Sequence, residues 1–371
     1  MKSIKFYLFF FIIIATGCRD NYELPLRDTD LSMLVVDGML NAGQGPTTIT
    51  LSKAMKTNEQ ALFNPVLQAT LAVEGKDGGS FLLTENGAGK YSHPQLPLTI
   101  GQEYRLRIKT KENKEYLSDF VVAKQSPEID GITWKKEKEG VMIYANTHDP
   151  SNNTRYYKWN FEETWEIRSY YTAFYRWVGG STIVYSPIYN NRCWKYANSN
   201  TINIGSSTQL ESDVISDAPL FFIAPGSERL GIRYSILLKQ SALTKGAYEY
   251  LLMMKKNTEN LGSIFDPQPS ELKGNYRCVT NPAEGVVGYL TASSITEKRI
   301  FITAEEAEWR FSQSCEVERV PDHPDSIKLW VPGYLPFDKE EVLGVGTYFM
   351  APARCVDCTA RGGMLTKPSY W

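Results

Sequence analysis

Apolar and polar residues alternate with a period of two over much of the stretch from Leu34 to Ala123, which is the pattern of strands with one buried face. "MLVVDGML" reads as a strand, "NAGQGP" as a Gly/Pro turn, and "TTITLSKA" as a returning strand with Ile49 and Leu51 on one face. Leu67, Ala69, Leu71 and Val73 alternate in the next segment, and Tyr104, Leu106 and Ile108 in a hairpin with a charged turn. "KQSPEIDGITW" reads as a linker around Pro127, after which strands resume. "TRYYKWNFEETWEIRS" then alternates for over a dozen residues, setting Tyr157, Trp159, Phe161, Trp165 and Ile167 on one face. A helical period stands out at one place. Thr244 can cap "KGAYEYLLMMKKNTEN", where Ala247, Leu251 and Met254 share a stripe and Gly262 marks a stop. Pro267 and Pro269 break regular structure beyond it. The pattern predicts a mainly β chain of two β-sandwich, immunoglobulin-like domains, residues 31–125 and 126–305, with a helix at about 244–260 inserted in the second.

The amino terminus is of a different kind. Two lysines precede a short apolar run, Phe6 to Ile14, and small residues lead to Cys18. The run is too short to span a hydrocarbon core of roughly 30 Å as a helix, and its layout is that of an export signal, residues 1–17. Thr16, Gly17 and Cys18 resemble a bacterial lipobox, with Ala15 where leucine is commoner. The expectation is lipidation of Cys18, a polar tether over residues 18–30, and a body held at a membrane by acyl chains. Which leaflet it faces stays open.

That compartment governs the remaining cysteines, Cys193, Cys278, Cys315, Cys355 and Cys358. Thiols outside the cytoplasm oxidise, so disulfides are expected, with one cysteine left over and residues 306–371 fastened by the bridges. The C-x-x-C at 355–358 could also serve as a redox centre or half of a zinc site. Its Gly- and Pro-rich surroundings lack the helix start a redox centre uses, and no histidine lies beyond His323, so no metal or cofactor is expected.

Charge adds an exclusion: 40 basic against 42 acidic residues provide no broad positive field for nucleic acid. Sequence motifs for metalloproteases, α/β-hydrolases and P-loops are missing. "NGAGKYS" reads as a hairpin turn, and His148–Asp149 as a turn whose side chains diverge. Glu162, Glu163 and Glu166 are the nearest thing to paired carboxylates; Glu162 and Glu166 should share a polar face. Aromatics concentrate from Tyr156 to Tyr196, 14 in 41 residues against 12% for the chain. Half fit the strand alternation; Tyr170, Tyr171, Phe174, Tyr175 and Trp177 fall where it fails. They are the candidates for partner or ligand contact, against the alternative of a small core under a long hairpin.

"LVVDGML", "NTRYYKWNFEETWEI", the block from Tyr234 to Ile302 and the ending "CVDCTARGGMLTKPSYW" resemble a Bacteroidota lipoprotein family known as domain-of-unknown-function family 4249. The resemblance spans nearly the whole mature chain. It implies an outer-membrane lipoprotein working beside a TonB-dependent receptor, and it carries over no catalytic residues. The expected role is a non-enzymatic accessory or ligand-capture partner of such a receptor. A structural or adhesive surface protein is the alternative, and a surface hydrolase a further one.

Overall fold

A computed structural model describes residues 33–55, 63–138, 140–186, 190–259, 272–342 and 344–371. The signal segment 1–17, Cys18 and the tether to residue 30 lie outside the described residues, as do Gly262, Pro267 and Pro269. The chain is mainly β. Among the described residues, no helix is long and apolar enough to cross a membrane.

The first strands are β1 (Leu34–Asn41), β2 (Thr47–Lys53), β3 (Thr70–Gly75) and β4 (Ser80–Glu85). They are followed by β5 (Lys90–His93), β6 (Glu103–Lys109), β7 (Glu115–Ser118) and β8 (Val121–Lys124). Their alternating apolar residues, among them Val36, Ile49, Leu71, Leu106 and Ile108, fill one core. Leu67, by contrast, precedes β3 and is exposed. Asn86 donates its backbone N–H to Lys90 across the glycine turn of the β4–β5 hairpin.

The next strands are β9 (Ile129–Glu137), β10 (Gly140–His148) and β11 (Tyr156–Arg168). The hairpin β12 (Tyr175–Gly179)–β13 (Thr182–Tyr185) precedes β14 (Arg192–Asn198), β15 (Asn203–Ser206), β16 (Val214–Ile223) and β17 (Arg233–Ala242). Two sheets share a second core: β16-β10-β9, and β14-β11-β17 with its later neighbour. The odd-numbered residues Tyr157, Trp159, Phe161, Trp165 and Ile167 of β11 all enter that core.

Helix α1 (Lys245–Glu259) starts under Thr244, whose hydroxyl accepts the Ala247 N–H at 3.3 Å. It does not return the chain to the second core. After it come β18 (Tyr276–Cys278), β19 (Val286–Val287) and β20 (Ala292–Ser293), which pair with β7 and β1 of the first body. Only β21 (Ile295–Thr303) rejoins β17. Residues 276–293, expected in the second domain, thus belong to the first core, and α1 is a crossover rather than an insertion. Gly288 permits the return: at φ +147°, a Cβ there would meet the Val36 carbonyl oxygen at 2.4 Å.

The return also changes the first body's architecture. Strand β8 pairs with both β20 and β6, so the sheet closes on itself instead of forming the two open layers of a sandwich. Closure removes exposed edges between β6 and β8.

Within the stretch read as a linker, Ser126 is buried where three chain passages meet. The Ser294 hydroxyl accepts the Ser126 N–H at 2.8 Å, and that of Ser293 accepts the Ala242 N–H at 3.0 Å. Gln240 accepts from the Trp159 indole at 2.8 Å and donates to Thr147 and Pro127. Each net bond contributes about 1 kcal/mol, while an orphaned buried partner costs about 1–3 kcal/mol. The two bodies are therefore latched, not loosely strung.

The last sheet is built from β22 (Glu318–Pro321), then β23 (Tyr334–Val342) and β24 (Val345–Pro352), with short helices α2 (Pro324–Lys328) and α3 (Ala353–Val356). Disulfides Cys193–Cys358 and Cys315–Cys355 hold it. The two cysteines of the C-x-x-C thus bond to different elements, not to each other or to a metal. Cys278 is the free cysteine among the described residues, buried in the first core. Iodoacetamide should label it only after denaturant opens that core; labelling of the native protein at Cys278 would contradict this packing.

The carboxyl terminus lies on the outer face of β11. The Tyr370 and Thr164 hydroxyls are 2.7 Å apart, the Arg299 guanidinium covers the Tyr370 ring, and the Trp371 indole donates to Glu166 at 3.3 Å. Burial would raise the Glu166 and Glu228 carboxyls, but their basic partners prevail and hold both below the usual range: Arg192 and Arg168 for Glu166, Lys195 and Arg361 for Glu228. Folded values below 4.5 mean that this stabilisation is complete above pH 4.5 and lost as pH falls through the depressed values. Hydrogen exchange at the mutually bonded Trp194 and Met364 amides should therefore quicken, relative to the second core, below about pH 4. Unchanged relative protection would contradict that linkage.

Candidate functional site

The crossover leaves a cavity of about 360 Å³ between the two bodies. Its walls follow from the strand period. Because Leu34, Val36 and Leu40 of β1 enter the first core, Val35, Asp37 and Met39 face outward and line the cavity. Because the odd residues of β11 enter the second core, Lys158 and Asn160 line the opposite wall. Helix α1 closes the third side with Ala247, Leu251 and Met254, the stripe that its periodicity marks, together with Tyr250. Val287 to Tyr289, on the returning segment, also line it. Gly246 lets the helix approach, since a Cβ there would meet the Tyr289 hydroxyl at 2.4 Å. The Tyr250 and Tyr289 rings lie 5.3 Å apart.

Lys158 is the unusual member. Its backbone is fixed between β15 and β17. Its amine forms no hydrogen bond or ion pair with a described residue, whereas other lysines of the sheet do: Lys239, for example, pairs with Glu162 at 2.5 Å. Desolvation pushes the Lys158 ammonium below the usual lysine range, and Asp37 opposes the shift. The two opposite charges line one cavity from different bodies and do not close on each other. The Tyr250 hydroxyl, beside the Gly288 backbone, completes no well-formed hydrogen bond. The wall is otherwise largely apolar, the composition of a small-molecule site.

The aromatic candidates from the sequence lie elsewhere. Tyr175 packs against Tyr348 in a third, smaller core with Val320, Ile327 and Met350, and Tyr171 stacks on Phe337 at 4.2 Å while its hydroxyl donates to the Cys315 carbonyl. Trp177 donates its indole N–H to Gly180. Tyr170 is 64% exposed and Phe174 39%. The group is therefore divided between a small core and an exposed edge, and none of the five lines the cavity. The carboxylates also diverge. Glu162 pairs with Lys239, Glu163 is buried among core residues against Arg229 and Tyr234, and Glu166 lies under the carboxyl terminus. His148 pairs with Asp130 at 2.7 Å, while Asp149 accepts the turn amides of Ser151, Asn153 and Thr154.

Sequence reasoning missed Lys158 and Asp37. Each is a lone charge within an apolar or aromatic run, "LVVDGML" and "YYKWNF", and that interruption was the available signal.

The family model for a domain of unknown function (DUF4249) matches residues 19–299. The chain belongs to this family. Both pocket-lining charges lie within the matched region. No curated protein matches in sequence. Similar solved structures include a segment of two fibronectin type-III domains from chicken tenascin, 11% identical, covering 57% of this chain and 89% of that one, with a TM-score of 0.16. The FN1–FN3 domains of chicken CNTN1 are 13% identical, with coverage of 57% and 62% and a TM-score of 0.19. A putative carbohydrate binding protein from Bacteroides uniformis is 11% identical, with coverage of 58% and 92% and a TM-score of 0.15.

Proposed function

We propose that this DUF4249 protein is a lipid-anchored, non-enzymatic accessory of an outer-membrane TonB-dependent receptor that captures a small ligand at the junction of its two bodies. The observation that carries the reading is the cavity under α1, where the amine of Lys158, which pairs with no described residue, stands among largely apolar side chains. Cys18 would carry the acyl anchor, and the family match beginning at residue 19 is in keeping with a mature chain starting there. The second body we take as an immunoglobulin-like sandwich that bears the exposed aromatic edge around Tyr170 and Phe174 toward the receptor. Tethering to one membrane raises the local concentration of the pair, so the direct affinity can be modest.

The test is retention from detergent-solubilised outer membranes on the tagged, full-length protein. A β-barrel receptor should be retained, and Tyr170→Ser with Phe174→Ser should weaken its retention. Failure of the wild-type protein to retain any β-barrel receptor would overturn the accessory role.

A further inference from the structure

We infer that the cavity under α1 binds a small zwitterion of amino-acid type with an apolar side chain, its carboxylate on Lys158 and its ammonium on Asp37. The inference deepens the capture reading above and rests on it. Asp37 on β1 and Lys158 on β11 line one cavity but form no ion pair, because each is fixed in the ladder of a different body. A ligand with both charges can answer both groups, whereas a simple acid would meet Asp37 and a simple amine would meet Lys158.

The remaining walls set the rest of the ligand. Val35, Met39, Leu251 and Met254 supply apolar contact, and methionine's flexible thioether accommodates side chains of different shape. The volume of about 360 Å³ lies at the small end of the range for small-molecule sites and has room for leucine or phenylalanine. A carboxylate would also pair with the Lys158 amine, whose charged form is penalised by desolvation. The same chemistry would accept an apolar dipeptide only if its second residue protruded from the cavity.

Calorimetric titration of the full-length protein in detergent tests the assignment, with L-leucine, L-phenylalanine, 4-methylpentanoate and isopentylamine as probes. At least one of the two amino acids should bind, with each single-ended analogue about tenfold weaker or more, the scale of one charge-assisted hydrogen bond. Lys158→Met keeps the side-chain length and removes the charge; it should weaken amino-acid binding about tenfold and leave isopentylamine no weaker. Asp37→Asn should weaken the amino acid and leave 4-methylpentanoate no weaker. If Lys158→Met does not fold, Leu251→Trp, which fills the cavity from the helix, should abolish binding in a chain whose circular dichroism is unchanged. Absence of amino-acid binding in the millimolar range, or undiminished binding by Lys158→Met or Leu251→Trp, would overturn the ligand class. Receptor retention is measured without added ligand, so the accessory reading and the ligand assignment fail separately.

Discussion

Joint replacement of Cys193 and Cys358 by serine should lower unfolding stability by about 2–5 kcal/mol. The bridge closes a loop of 165 residues, for which chain-entropy reasoning gives about 5 kcal/mol, against about 4 kcal/mol for the 40-residue Cys315–Cys355 loop. It also ties β14, in the second core, to the tail whose Tyr370 and Trp371 cover β11. Urea denaturation should show the loss, and hydrogen exchange should show the earliest opening around Met364. A change below about 1 kcal/mol would mean that the tail is held by its packing alone.

Arg229→Met should cost about 3 kcal/mol at neutral pH, the lower part of the range for breaking a buried pair because Arg229 is itself partly exposed. Glu163 projects inward from β11 beside Trp165, and its partners are Arg229 at 2.9 Å and the Tyr234 hydroxyl at 3.0 Å. Burial raises the Glu163 carboxyl above its usual range; Arg229 and the Tyr234 hydrogen bond partly offset this. Its folded value above 4.5 means that the folded state holds the proton more tightly, so the stability tied to that proton is present below 4.5 and lost as pH rises through the folded value. Removing Arg229 should widen that window. The stability deficit of Arg229→Met, followed by denaturant titration, should shrink as pH falls from 7 toward 5. A deficit that stays constant across this range would contradict a buried, charged Glu163.

The inward face of β11 could be read from alternation alone, because Tyr157, Trp159, Phe161, Trp165 and Ile167 hold one phase with Glu163 as the interruption. Helix α1 was legible from its capping threonine and its apolar stripe. The fate of that stripe was not: Ala247, Leu251 and Met254 line a cavity instead of sealing a dense core. The closure of the first sheet was hidden for a physical reason. Strands β19 and β20 are two residues each, too short to carry a period, and their place is fixed by contacts with β1 and β8, distant in sequence. Disulfide partners were hidden likewise, since Cys193 and Cys358 meet only after the tail folds against β14. Ser126 read as linker polarity because its hydrogen-bond partner Ser294 lies more than 150 residues away. Lys158 was overlooked because a lysine on the outer face of a strand is ordinarily solvated, and only the crossover of α1 covers it.

The junction cavity is where this protein is proposed to hold its ligand. Methyl resonances of the full-length protein, labelled at methionine and recorded during titration with leucine and phenylalanine, test it directly. Met39 and Met254 line the cavity and Met350 lies in the third core, so the first two should shift saturably with at least one amino acid while Met350 stays in place. Saturable shifts at Met350 with Met39 and Met254 unmoved, or no shift at any of the three, would contradict the claim.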